Sequence, residues 1–167
     1  VLREHTGKQK REIKNIIVYG ASRIAQKAVQ ELPEGMSIKI LEANRDLCYH
    51  ISDKVNNALI INADGSDMNS LQEEGIQDAD AFIAVTDRSE ANIFACLAAK
   101  RFGVKKTIAE VENIDYIPMA EALDIGTVLN KKTITAAYIY QMLLDASVLN
   151  VRNLTSADAE IVEFVAA

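Results

Sequence analysis

The sequence predicts an α/β fold: a doubly wound parallel sheet of six strands, with one extra apolar helix after the sixth. Three observations predict it. Short apolar runs alternate with helical stretches from residue 13 onward. The first run, Ile16-Ile17-Val18-Tyr19, meets Gly20, then a short polar turn and a helical pattern. The second, Ile38-Lys39-Ile40-Leu41, ends on Glu42, which follows Gly20 by 22 residues. The runs are nearly continuous rather than alternating, as strands buried on both faces of a parallel sheet require.

Each element has its own signal. Residues 1–12 are polar, carry Gly7 and read as a linker or tail. The strands are placed at Asn15–Tyr19, Ser37–Glu42, Ala58–Asn62, Ala81–Val85, Lys106–Val111 and Thr127–Leu129. The first helix sets Ile24, Ala28 and Leu32 on one face and ends at Pro33. Asp67 is placed to cap a short helix that stops at Gly75. Asp87, with Glu90 three residues on, has capping-box spacing. Behind it Ile93 and Leu97, and Phe94 and Ala98, repeat at i,i+4, and Gly103 closes the helix. Strand–helix alternation with short loops implies right-handed crossovers.

Thr133–Leu144 is apolar almost all round. Such a helix must be covered on more than one side, either as a central core helix or against its own domain and a partner subunit together. Its place after the sixth strand, where the sheet is already complete, favours the partner. Beyond it, residues 153–158 read as a polar turn, and Glu160–Val165 as a single alternating strand with no pairing partner. Residues 13–147 are thus one domain, and 148–167 the start of a second.

Composition narrows the function. At 167 residues one domain is expected. A net charge of −6 argues against nonspecific nucleic-acid binding, and Lys8, Lys10 and Arg11 form only a short cluster. No apolar run approaches the roughly 18–20 residues of a membrane span, and no secretion signal is visible near the start. Cys48 and Cys96 fall in helical patterns, as reduced thiols do, and no Cys/His spacing suits zinc.

The turn after the first strand carries the chemistry. In a Rossmann-like unit a helix N-terminus holds a pyrophosphate and an acid near the end of the second strand holds a ribose. The three glycine positions of that fingerprint read Gly20, Ser22 and Ala25: the turn glycine is present, alanine is accepted at the third, and the middle glycine is missing. Ser22 either caps the helix and donates its hydroxyl, or blocks the ligand. Arg23 in the first helical turn opposes the helix dipole, which an anion would offset; the other reading is a solvated arginine. Glu42 is placed to accept ribose hydroxyls and to repel a 2′-phosphate, favouring NAD over NADP; its other reading is a strand-end acid facing solvent. Asp64, in the loop Asn62-Ala63-Asp64-Gly65-Ser66-Asp67, is placed beside the adenine or serves its own turn. Thr86 and Asp87 end the fourth strand across the switch point. His5 and His50 have no evident partner, and neither a Tyr-x-x-x-Lys nor a G-x-S-x-G occurs. A dinucleotide site without acid, base or nucleophile reads as a sensor, not an enzyme.

The chain resembles a known family at Ile16–Gly20, Leu41-Glu42, Ala63–Asp67, Glu73–Ile76 and, most specifically, the run Asp78–Asn92. It is similar to the RCK (regulator of conductance of potassium) domain in its TrkA-like form, and most to the second of two tandem halves. The resemblance implies a Rossmann-like fold binding NAD(H) or, alternatively, ATP/ADP. It implies dimers through the helix after the sixth strand, larger rings, and a membrane potassium transporter as partner at the cytoplasmic face of the plasma membrane, with no insertion of its own. By position it places Gly20, Ser22 and Arg23 at phosphates, Glu42 at the ribose, Asp64 at the adenosine side, and Thr86, Asp87 and Asn92 near the rest of the cleft, with Ala21, Ile24, Ala63 and Gly65 as further binding positions. Ser22 and Ala25 depart from the family's usual glycines. Two other readings remain: a fragment of an NAD-dependent dehydrogenase or epimerase, and a scaffold half whose cleft binds nothing.

Overall fold

A computed structural model describes residues 12–143, 148–154 and 159–164, the last two stretches as backbone only. Six strands, β1 (Asn15–Tyr19), β2 (Ser37–Leu41), β3 (Leu59–Ile61), β4 (Ala81–Ala84), β5 (Lys106–Glu110) and β6 (Thr127–Leu129), form one parallel sheet in the order β3-β2-β1-β4-β5-β6. The chain starts at the centre, winds outward through β2 and β3, then crosses back to β4, so the switch point lies between β1 and β4. The expected strands are all present, most trimmed by a residue at an end. The trimmed residues still extend the ladders: Glu42 N donates to Ile61 O, Val85 N to Tyr19 O and Val111 N to Leu129 O.

Helices cover both faces. α1 (Arg23–Gln30) and α2 (Arg45–Ser52) pack Ala25, Val29 and Ile51 on Ile16, Val18, Ile38 and Ile40. α3 (Met68–Glu73) and α4 (Ser89–Arg101) cover the other face with Leu71, Ile93 and Cys96, against Ile17, Leu41 and Phe82. α5 (Ile117–Ala122) adds Ile117 and Ala120 to that second core.

Several local expectations are corrected. α1 ends at Gln30, before Pro33, and its buried face is Ala25 and Val29, flanked by Ile24 and Leu32; Ala28 is exposed. Asp87 does not cap α4; the cap position is Arg88, whose guanidinium has no acceptor to offer the first-turn amides, and the Arg88 N–H donates to Thr86 Oγ1. Phe94 is 68% exposed, since the core-facing stripe of α4 runs through Asn92, Ala95, Cys96 and Ala99. The placement of Asp67 holds: its carboxylate accepts Ser70 N at 2.9 Å, and α3 gives way to a left-handed Gly75 (φ +78°). Gly103 likewise stands at φ +98° after α4.

α6 (Lys131–Leu143) forms as expected, but none of its residues is buried, and Tyr138, Met142 and Leu143 are 58%, 67% and 80% exposed. It is therefore not a central core helix in this chain. The lone terminal strand is also corrected. β7 (Val148–Leu154) pairs antiparallel with β8 (Ala159–Phe164), with a register shift between Val148 and Asn150. Residues 1–11 of the expected tail, and residues 155–158 of the expected turn, lie outside the described residues.

The C-terminal ends of β4 and β5 are held together by one side chain. Asn92 is fully buried. Its Oδ1 accepts Thr86 N (3.1 Å) and Thr86 Oγ1 (2.6 Å), and its Nδ2 donates to Thr86 O (3.0 Å) and Glu110 O (2.9 Å). Asn92→Ala would strand those backbone groups and leave a void. The expected outcome is a loss of about 2–4 kcal/mol, read as a lowered midpoint in urea unfolding.

Candidate nucleotide-binding site

The site grows out of the turn between β1 and α1. Gly20 has φ +102°, a region L side chains avoid, and a Cβ there would lie 2.9 Å from Thr86 Cγ2 and 3.0 Å from Thr86 N. Glycine is thus required twice, for its conformation and for the close approach of the turn to the end of β4. Gly20 N donates to Leu41 O at 2.9 Å, which ties the turn to β2 as well.

Ser22 occupies the position of the missing glycine with an ordinary extended backbone (φ −69°, ψ 165°). Its Oγ accepts Ala25 N at 3.2 Å, so it is the N-cap of α1. Ala25 is 1% exposed and packs on the sheet, where a third glycine or alanine allows close helix–strand contact. The first-turn amides of α1 have no intrahelical acceptor, and no acidic residue sits in that turn. With Arg23 at the first helical position, the first turn of α1 itself carries no negative charge.

Glu42 is more than a strand-end acid. Its Oε2 accepts Ala21 N and its Oε1 accepts Asn44 N, both at 2.8 Å. One carboxylate thereby fixes the β1–α1 turn to the β2–α2 loop. Two of its roughly four lone-pair directions are used, which leaves each oxygen able to accept one hydroxyl. Asn62 Nδ2 secures the same loop by donating to Glu42 O and Ala43 O.

In the loop after β3, Asp64 Oδ1 accepts Ser66 N (2.9 Å), Ser66 Oγ (2.7 Å) and Tyr19 Oη (3.2 Å). The Ser66 N–H contributes most to holding the Asp64 carboxyl below the usual carboxylate range. Burial raises the Tyr19 hydroxyl above its ordinary value. Gly65 lies against the Tyr19 ring so closely that a Cβ would fall 2.5 Å from Cδ2. Burial also pushes the Cys96 thiol up to about 12, so Cys96 serves packing.

These elements enclose a cleft of about 800 Å³ at the switch point. Gly20, Ala21, Ser22, Arg23, Glu42, Asp64, Thr86 and Asp87 all line it. Ile24, Ala63, Gly65 and Asn92 stand behind its wall: Ile24 packs toward the α1 core, Ala63 N donates to Glu42 O, Gly65 carries Tyr19, and Asn92 holds Thr86. Sequence reasoning did not single out Tyr19, Lys27, Leu47, Lys54 or Arg88, which also line the cleft, and gave His50 no partner. In the structure His50 Nε2 lies 2.7 Å from Lys54 Nζ. The i,i+4 spacings Arg23/Lys27 and His50/Lys54 were the available signal. Among the described residues no group of His, Cys, Asp or Glu is arranged to hold a metal.

The strand order and a cleft at its switch point define the class: a Rossmann-like domain of the nucleotide-binding kind. The TrkA-N domain family matches residues 16–131, and the chain belongs to that family. A Methanosarcina mazei protein named Trk system potassium uptake protein TrkA homolog 2 is 34% identical over 133 residues. That match covers 80% of this chain and 30% of the relative, so the chain spans about a third of the relative's length. Among solved structures, the TrkA-N domain of the Escherichia coli inner membrane protein YbaL superposes with a TM-score of 0.68 at 11% identity, over 80% of this chain and 98% of that one. The GsuK channel bound to NAD superposes with a TM-score of 0.67 at 16% identity, over 78% of this chain and 24% of that one. These structural likenesses carry the fold.

Asp64 gives the site a pH signature. Its folded-state pKa is lowered, so its contribution to stability is fully present above the unfolded value of about 4 and is lost as pH falls through the folded value. Thermal melting across acid pH should show a steeper loss below about pH 4 for the native chain than for Asp64→Asn. Parallel curves would contradict this.

Proposed function

We propose that this chain is the nucleotide-sensing domain of a non-catalytic regulatory subunit that controls potassium uptake through a Trk-type membrane transporter. Its ligand is NAD(H), with ATP/ADP as the alternative, and it works at the cytoplasmic face as a homodimer or larger ring. The observation that carries the reading is Glu42, whose carboxylate ties the phosphate turn to the β2–α2 loop and keeps acceptor capacity for ribose hydroxyls. The names of the relatives support the potassium role, and GsuK structures bound to NAD and to ADP support an adenine nucleotide. No helix among the described residues is long and apolar enough to cross a membrane.

Sensing needs a route from ligand to partner, and the polar contacts supply one. Thr86 lines the cleft and is held by Asn92, which also donates to Glu110 O. The buried Glu110 carboxylate pairs with Lys131 Nζ at 2.6 Å, at the first residue of α6. Asn130 Nδ2 donates to Val111 O and Glu112 O, and its Oδ1 accepts Thr133 N, so the start of α6 is pinned to the end of β5. In this reading the exposed face of α6, with Ile134, Tyr138 and Met142, meets the same helix of a second copy.

Calorimetry with NADH, NAD, ATP and ADP tests the cleft. Micromolar binding to at least one, weakened tenfold or more by Glu42→Ala, is expected; no binding to any would leave a scaffold with an empty cleft. Sedimentation velocity tests the helix. The native chain should dimerise, and Tyr138→Asp should shift it toward monomer while leaving its circular-dichroism spectrum unchanged, since this side chain is 58% exposed within the protomer.

A further inference from the structure

Tyr19 ends β1 and packs into the second core, yet it also lines the cleft. A buried phenol needs a hydrogen-bond partner, and this one finds it on another element. Tyr19 Oη donates to Asp64 Oδ1 at 3.2 Å, across 45 residues of sequence. The ring supports the same loop. A Cβ at Gly65 would fall 2.7 Å from Tyr19 Cγ, so the backbone beside Asp64 rests against the ring. The other two donors to Oδ1, Ser66 N and Ser66 Oγ, are local to the loop. Tyr19 is therefore the donor that ties this carboxylate to the sheet.

All three donors meet Oδ1, and none of them takes Oδ2. Asp64 is exposed at the cleft, and its lowered pKa keeps it ionised at neutral pH, an acceptor only. Glu42, the other fixed acid, has an amide on each oxygen. Asp64 is the one whose protein donors all sit on a single oxygen.

A fixed acceptor and a mobile one select differently. Adenine presents an exocyclic amine, a donor. Hypoxanthine presents a carbonyl oxygen in its place, which a carboxylate repels, but it has a ring N–H donor one atom away. A carboxylate free to turn would accept from either base. A carboxylate locked through one oxygen cannot follow the donor to its new place.

We propose that Tyr19 is a positioning residue for base selection: with Ser66 it locks Asp64 so that Oδ2 accepts the exocyclic amine of adenine and rejects a 6-oxopurine. The inference rests on the nucleotide reading of the cleft and adds how the base is chosen.

Calorimetry on the whole chain tests it with NADH, ATP and ADP, each against its hypoxanthine analogue. For every pair that binds, the native chain should prefer adenine by about tenfold or more. Tyr19→Phe keeps the ring against Gly65 and removes the hydroxyl, and the preference should fall below about threefold. A merely structural role for Tyr19 would weaken both bases alike and leave their ratio unchanged. Asp64→Asn tests the same lock from the other side. With its amide oxygen on the three donors it turns an NH2 toward the base, and the preference should reverse in favour of hypoxanthine. Melting curves check that both variants keep the fold. A native ratio near one, or a ratio that survives either variant, overturns the inference and leaves the nucleotide reading standing. Binding of none of the ligands overturns both.

Discussion

The close approach of Gly20 to Thr86 is the constraint on which the site depends. β1 and β4 are neighbours in the sheet but far apart in sequence, and the chain leaves them in opposite directions. Where they part, the backbone of one turn sits against the other with no room for a Cβ. That contact sets where Ala21 N points, and hence where Glu42 must place its carboxylate. It also fixes Thr86, whose hydroxyl and backbone are then gathered by Asn92. A larger residue at position 20 would push apart the two halves of the sheet just where the ligand cleft is formed.

Glu42 illustrates how one group serves fold and site together. Two loop amides that would otherwise need water are satisfied by its two oxygens at 2.8 Å. The carboxylate is thereby oriented before any ligand arrives, which lowers the ordering cost of binding. The same economy appears at Asp64, where three donors converge on Oδ1 and fix the side chain. Two of the cleft's acids, Glu42 and Asp64, are thus fixed by the protein's own donors.

What was legible in the sequence follows from which forces act locally. β1, β2, β4 and β5 are buried on both faces, so their apolar runs announce them. Gly20, Glu42 and Asp64 were legible because the turn–helix spacing is fixed by the βαβ unit. Phe94 was misread because α4 is apolar on more than one side, and i,i+4 pairing does not say which side faces the sheet. β7 escaped notice because Asn150, Arg152 and Asn153 interrupt its apolar residues, and its pairing with β8 supplies what strand propensity lacks. Asn92 was placed near the cleft by position, but its buried hydrogen bonds to Thr86 and Glu110 join residues that only the folded sheet brings together. Tyr19 and Lys54 belong to the cleft for the same reason.

The character of Asn92 also constrains how a ligand signal can travel. Its amide is committed on both sides, and it has no exposed surface. Breaking one of these bonds without replacement costs about 1–3 kcal/mol, comparable to a whole allosteric coupling energy. The end of β4 at Thr86 and the end of β5 at Glu110 are thus tied through one buried amide. Lys131 and Asn130 join that end of the sheet to the first turn of α6, whose apolar surface lies outside the protomer's core. Under the function proposed above, a ligand that binds differently to two presentations of α6 has only that difference in binding free energy with which to drive a partner.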